Sequence, residues 1–398
     1  MNFYIISLVK AGITAGVLLT FCAYLVWIER KVLAHIQLRP GPYRVGPHGL
    51  LQPLSDLIKL MTKEGVIPAN VHTFFYLFAP FLAVALALIS IVVIPFGPEF
   101  SILGVTTGLG LTDLNIGILL VLAVSSLGVY AIALGGWASN SKYSLMGGLR
   151  SAAQMISYEL PMALAIVSPL LLLNTLNFRE MVVAQEGFAL GFIPRWTVFA
   201  GPVPQVFSFI IFMIAVFAET NRVPFDLPEA ETELVAGFHT EYSSLMFAAF
   251  FTAEYANIIT VCSVATALFL GGWQPLWPAA YGSNFVPPLI IGLAGLMLLY
   301  HGSQALKSRR WDRFSFPAIG VIFLGLAGLF FVPVLQPVLI PFFWFASKLL
   351  VLIFVFIWVR GTLPRFRYDQ LMKFAWTFLF PAALINLLIT GLVVALTS

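Results

Sequence analysis

Charge is scarce in this sequence: Asp, Glu, Lys and Arg together make up 10% of its 398 residues, against 60% hydrophobic residues. With a mean hydropathy of +0.97, too little polar material exists to coat a water-soluble surface, so lipid is the expected solvent. Cysteine is scarcer still. Cys22 and Cys262 are the only two, each inside an apolar run, which excludes a disulfide framework and a four-cysteine iron-sulfur site built from this chain alone. No Gly-rich dinucleotide turn and no Walker loop occurs, and His35, His48, His72, His239 and His301 include no HxxxH pair. Any redox cofactor is therefore expected in a partner chain.

The formal charge of +4 and pI near 9.0 would suit nucleic acid, but the basic residues lie in short loops between apolar stretches, where topology explains them better. A soluble chain of this length would suggest two or three domains. A helical bundle in a bilayer absorbs it as one, residues 1–398. The N-terminus MNFYIISLVK runs straight into an apolar segment with no small-residue cleavage site, which predicts a retained first helix.

About 20 apolar residues cross the hydrocarbon layer, and that window selects ten segments: near 4–27, 74–96, 114–136, 155–176, 203–219, 243–270, 286–305, 317–335, 341–359 and 374–396. The loops at one end carry 17 Lys and Arg residues; the opposite loops carry Arg179 and Arg195. That bias predicts a cytoplasmic basic side with both termini on the other side, and hence an even number of spans. The fold class is accordingly an all-α polytopic bundle of about ten spans. One further stretch on the basic side is amphipathic rather than spanning: residues 50–64, LLQPLSDLIKLMTKE, place Leu50, Leu54, Leu57, Ile58 and Met61 at helical spacing. Such a helix lies flat at the interface.

The acidic residues are the informative part. Seven of 17 fall between positions 219 and 254: Glu219, Asp226, Glu229, Glu231, Glu233, Glu241 and Glu254. Crowded carboxylates raise one another's proton affinity and titrate together, which suits proton storage and relay. Pro224 and Pro228 make AETNRVPFDLPEAETE an irregular loop. If a helix runs on from Glu241, Glu254 stands roughly 20 Å farther along, deep in the membrane. Glu159 is a second intramembrane carboxylate, and Pro161 just after it loosens the helical ladder. Carboxyl groups in hydrocarbon are costly unless neutral, paired or hydrated, so an ion or proton pathway is the default expectation. Lys348 is a third buried charge with an open choice of partner; Lys10, near the far surface, is expected to snorkel.

Two stretches, WIERKVLAHIQLRPGPYRVGPHGLLQPLSDLIKLMTKE and FAETNRVPFDLPEAETELVAGFHTEY, resemble the hallmark segments of the respiratory complex I membrane component known as the H subunit, or subunit 1. GWASNSKYSLMGGLRSAAQMISYE and WVRGTLPRFRYDQLMKFAWTFLFP resemble two further loops of that family. The likeness covers residues 1 to about 275 and about 338 to 398. It implies a membrane subunit of the proton-translocating NADH:quinone oxidoreductase, without a redox centre of its own, which walls the quinone chamber and links it to the proton-pumping subunits. FMN and iron-sulfur clusters would sit in peripheral-arm partners, with quinone as substrate, in a bacterial inner membrane with periplasmic termini. On that resemblance, Arg30, Arg39, Asp56, Lys59, Lys63 and Glu64 line or brace the chamber and its entrance. Arg222, Phe225 and Asp226 face the same chamber, with Glu229, Glu231 and Glu233 close behind. Glu219, Glu241, Glu254 and Glu159 continue inward as an acidic relay. Gly147 and Arg150 would serve packing and contact at the peripheral interface.

Residues 279–336 depart from the family pattern and read as an inserted transmembrane hairpin without a catalytic role. A homologous subunit of a membrane-bound hydrogenase or ferredoxin-dependent dehydrogenase would share the same features. A stand-alone proton-coupled transporter would also use buried glutamates and broken helices.

Overall fold

Peptide groups in hydrocarbon must satisfy one another, so the apolar runs of this chain close into helices. The computed structural model describes residues 2–102, 105–189, 191–226, 235–304 and 310–397. In chain order the helices are α1 Asn2–Ile36, α2 Gln52–Thr62, α3 Thr73–Ile91, α4 Gly117–Ala138, α5 Lys142–Leu173, α6 Phe178–Ala184, α7 Val206–Glu219, α8 Ser244–Phe269, α9 Val286–Ser303, α10 Arg310–Leu329, α11 Gln336–Thr362 and α12 Tyr368–Thr397, the last with a π turn at Ala375–Leu379. Eight are long and apolar enough to cross a membrane; α7 and the Arg313–Leu329 part of α10 are shorter apolar helices. Together they account for the ten apolar segments of the sequence. At the end that holds the termini, two small antiparallel ladders interrupt the loops: β1 Glu99–Ile102 with β2 Val105–Gly108, and β3 Phe188–Ala189 with β4 Ile193–Pro194.

The main core is contributed by α1, α3, α4, α5, α7, α8, α11 and α12, with Phe178, Met181 and Val182 of α6 closing it from one end. Lipid offers no hydrophobic gain for helix contact, so close approach depends on small residues. On α4 and α5, Gly136 and Gly148 are such residues: a Cβ at Gly136 would stand 2.7 Å from the Ser144 carbonyl oxygen and 3.1 Å from Gly148 Cα. A second cluster, with Tyr76 and Tyr242 stacked at 4.2 Å, closes the basic end. The hairpin α9–α10 packs chiefly on itself, Gly295 against Gly320, and reaches the bundle through α11 and through Phe316, which stacks on His48 at 4.6 Å.

Two lengths position the site. An α7 of 14 residues rises only about 21 Å, short of the ~30 Å hydrocarbon layer. Its last residue, Glu219, is buried in the bundle, and the loop after it begins among buried residues. The expected helix from Glu241 to Glu254 is not continuous: α8 starts at Ser244, whose φ of +54° breaks the run, and Glu241 lies in the turn before it. Glu254 is consequently about 15 Å, not 20 Å, from the start of its helix.

Gly147 is buried inside this chain rather than presented to a partner; a Cβ there would fall 2.7 Å from Gly237 Cα. Because the obstacle is backbone, Gly147→Ala should cost roughly 1–3 kcal/mol by overpacking. Gly325→Ala, with nothing within 4 Å of the new methyl, should not lower the melting temperature. Thermal unfolding of both variants in detergent checks the pair, and equal melting temperatures would contradict this packing.

Candidate functional site

Irregular backbone at membrane depth is tolerated only where protein or a water-filled cavity surrounds it. The loop after α7 meets that condition, since Thr220, Arg222, Phe225 and Asp226 are all buried. Gln154 of α5 holds it: the side-chain amide donates to the carbonyl oxygens of Ala218 at 2.8 Å and Phe225 at 2.7 Å, and to Asn221 Oδ1 at 3.2 Å. Asn221 takes a left-handed φ of +51°, which Asn tolerates better than most residues. The Phe225 ring is buried against Tyr158 and Phe366, so it anchors the loop.

The loop delivers Arg222 into a cluster of charges. Its guanidinium lies 2.7 Å from Glu254 of α8 and 3.7 Å from Glu29 of α1, and stacks over Tyr255 at 4.3 Å. Glu29 is also held by Arg360 of α11 and accepts a hydrogen bond from the Tyr255 hydroxyl at 2.8 Å. Beside it, Asp226 pairs with Arg365 at 2.9 Å. Three carboxylates thus meet three guanidinium groups. At an effective dielectric of 20, a 2.7 Å pair attracts by roughly 6 kcal/mol, while desolvation costs several kcal/mol per ion. The two nearly cancel, so the cluster contributes little net stability and its presence calls for a chemical reason.

Behind the cluster lies a cavity of about 80 Å³, lined by Glu254, Glu219, Ser125, Asn257, His239 and Thr260 among others. That is room for several waters beside polar partners. Glu219 accepts from the Ser125 hydroxyl at 2.8 Å, and the next residue of α4, Ser126, donates to Glu159 of α5. Adjacent serines therefore hold the two carboxyl groups from neighbouring helices. A hydroxyl both donates and accepts, which is what a proton-conducting link needs.

In front of the cluster, an open cleft of about 300 Å³ is lined by Glu29, Arg30, Tyr255, Arg360 and Arg365 with Val26, Leu33 and Phe251. Helix α2 lies at its rim, matching the amphipathic stretch in the sequence. Asp56 accepts from Arg30 at 2.9 Å and from Gln52 at 3.0 Å, with Lys59 at 3.7 Å. Leu54, Leu57, Ile58 and Met61 are exposed on the outer face of α2. Arg39, Lys63 and Glu64 are exposed and do not line the cleft.

Other expected residues fall elsewhere. Glu229, Glu231 and Glu233 lie outside the described residues. Glu241 is not among the residues lining the cavity, and its carbonyl accepts the Tyr76 hydroxyl at 2.7 Å. Lys348 is held by carbonyls rather than by a carboxylate: its ammonium donates to Leu270, Gly272 and Gln274 at 2.6–2.8 Å, under the Trp196 ring, at the negative end of the α8 dipole. Arg150 stands over the Tyr368 ring at 5.8 Å. Lys10 donates to the Gly108 carbonyl at 2.7 Å. Sequence reasoning missed Glu29, which precedes two basic residues and reads as one more interfacial charge, and it used Arg360 and Arg365 only for topology. The signal for Glu29 was its position on an apolar helix one turn before the basic loop.

A family model described as NADH dehydrogenase matches residues 9–391. The chain is 64% identical over 397 residues to the NADH-quinone oxidoreductase H subunit numbered 1 in Solibacter usitatus, covering 100% of this chain and 98% of that one. It is 46% identical over 404 residues to the H subunit numbered 2 in Koribacter versatilis (99% and 98% covered). Against the one numbered 1 in Geobacter metallireducens it is 44% identical over 391 residues (98% and 97%).

Arg222→Leu removes the 2.7 Å ion pair with Glu254, which should cost about 3–5 kcal/mol. Neutralising Glu254 as well, in Arg222→Leu/Glu254→Gln, should recover a large part of the loss. A thermal double-mutant cycle measures this; additive losses would mean that the two groups do not interact.

Proposed function

We propose a role that proceeds from one premise: this chain belongs to the NADH dehydrogenase family and, within it, to the H subunits of NADH-quinone oxidoreductase. It is a membrane subunit of the proton-translocating complex I, part of an oxidoreductase that is also a translocase. Within that assembly we infer that the cleft beside Glu29 is its share of the quinone chamber. Helix α2 forms the rim by which an amphiphilic quinone passes from the bilayer to this cleft.

Reduction of a quinone to a quinol consumes two electrons and two protons. The electrons come from iron-sulfur clusters in partner subunits, themselves supplied through FMN, because two cysteines are too few to ligate a cluster here. This chain supplies charge and proton handling. As negative charge develops on the quinone oxygens, the guanidinium groups of Arg360 and Arg365 turn toward it and loosen their hold on Glu29 and Asp226. The redistributed charge draws Arg222 away from Glu254, which then receives a proton relayed by cavity water from Glu219 on the same cavity; the water is left neutral and Glu219 is left to be reprotonated. Glu219, held by Ser125, and Glu159, held by the neighbouring Ser126, pass the proton demand toward the adjoining membrane subunits. The observation that carries this reading is the single charge cluster shared by cleft and cavity: Glu29 lines the first, Glu254 lines the second, and Arg222 contacts both.

In this reading the basic end faces the bacterial cytoplasm, where the peripheral arm docks, and both termini are periplasmic. Hairpin 279–336 takes no part in the reaction.

Reconstitution of the whole complex in proteoliposomes tests the assignment. Glu254→Gln, Glu219→Gln and Glu159→Gln keep shape but carry no proton, and each should lower coupled turnover by about tenfold or more while assembly persists. Asp56→Asn should lower quinone reduction first. Wild-type proton pumping in all three glutamine variants would remove these residues from the pathway, and an unchanged quinone rate and apparent affinity in Asp56→Asn would remove α2 from the chamber.

A further inference from the structure

Helix α8 begins in an unusual way. Ser243 occupies its N-cap with the extended backbone of a capping residue, yet its hydroxyl makes no capping bond within the helix. A cap serine ordinarily accepts an N–H from its own first turn. Here the hydroxyl accepts the Val66 N–H at 3.1 Å and donates to the Val66 carbonyl at 3.3 Å. Ser244 adopts a φ of +54°, in the left-handed region that residues other than glycine rarely enter and that signals a position held by its surroundings. From there its hydroxyl reaches the carbonyl oxygens of Leu60 at 2.7 Å and Lys63 at 2.9 Å. Leu60 belongs to the last turn of α2, where carbonyls have no partner within the helix. The start of α8 therefore supplies the C-terminal cap of α2, instead of its own N-terminal one.

This contact joins two parts of the molecule with different tasks. Among the described residues, α2 is tied to the bundle at two polar points: Asp56 on Arg30 at the rim of the cleft, and Leu60 on Ser244, with Ser243 holding the segment that follows α2 at Val66. Helix α8 carries Tyr255, which lines the cleft, and Glu254, which lines the inner cavity. We propose that Ser243 and Ser244 form a latch through which displacement of α2, when a quinone occupies the cleft, is transmitted to the first turns of α8 and so to the Arg222–Glu254 contact. The inference rests on the quinone-chamber reading above. Both serines are positioning residues; neither lines the cleft or the cavity.

Hydrogen-deuterium exchange on the assembled complex, with and without a water-soluble short-chain quinone, tests the latch together with the proton-to-electron ratio in proteoliposomes. Ser244→Gly removes the hydroxyl while relieving the backbone strain, so the fold is retained; it is combined with Ser243→Ala, and Ser243→Thr keeps a hydroxyl as the conservative control. In the wild type and the Thr variant, quinone should change exchange both in α2 and in the first two turns of α8. In the double variant the change should persist in α2, vanish in α8, and be accompanied by a fall of about twofold or more in protons per electron, with quinone KM altered less than that ratio. A double variant that still changes exchange in α8 and pumps like wild type overturns the latch, while loss of pumping in Glu254→Gln leaves the reading beneath it standing. Absence of any quinone effect on α2 in the wild type overturns both.

Discussion

Everything at the basic end of this bundle depends on one buried guanidinium held between two carboxylates. Arg222 reaches Glu254 and Glu29 only because α7 stops after 14 residues and lets polar backbone fold back into the bundle. That backbone survives there because Gln154 satisfies its carbonyls and Phe225 wedges it against Tyr158 and Phe366. A longer α7 would bury the same charges in helix with no loop to bring them together.

The cluster divides two spaces of different character. On one side the cleft is open, edged by arginines and by the amphipathic α2. On the other the cavity is enclosed, with carboxyl groups supported by serine hydroxyls. In the proposed mechanism the near cancellation of attraction and desolvation in the cluster lets a modest change of charge on the cleft side redistribute its pairs. A strongly stabilised ion pair would resist such a change, and an exposed one would be screened from it.

Hydropathy alone recovered the ten apolar segments and the amphipathic stretch, since both are properties of contiguous residues. That Glu159 and Glu254 stand on long apolar helices was legible for the same reason. The start of α8 was not, because Ser244 leaves the helical region through contacts with α2 made 181 and 184 residues away in sequence. Glu29 was overlooked beside Arg30 and Lys31, and its role comes from Arg360 on a helix more than 300 residues distant. Ser125 and Ser126 sit in an apolar run that gives no polar signal; only packing of α4 against α5 and α7 turns them into supports for carboxyl groups. Lys348 looked like a candidate for an ion pair, but three carbonyls at a helix terminus serve an ammonium equally well.

The central claim is that buried carboxyl groups on this chain change protonation when quinone in the cleft is reduced. Redox-induced infrared difference spectroscopy of the complete complex reads this directly, through the C=O stretch of protonated carboxyl groups. The account predicts a carboxyl band that appears on quinone reduction in the wild type and is lost or diminished in Glu254→Gln and Glu219→Gln. A difference spectrum with no carboxyl band, or with a band unchanged in both variants, would contradict it.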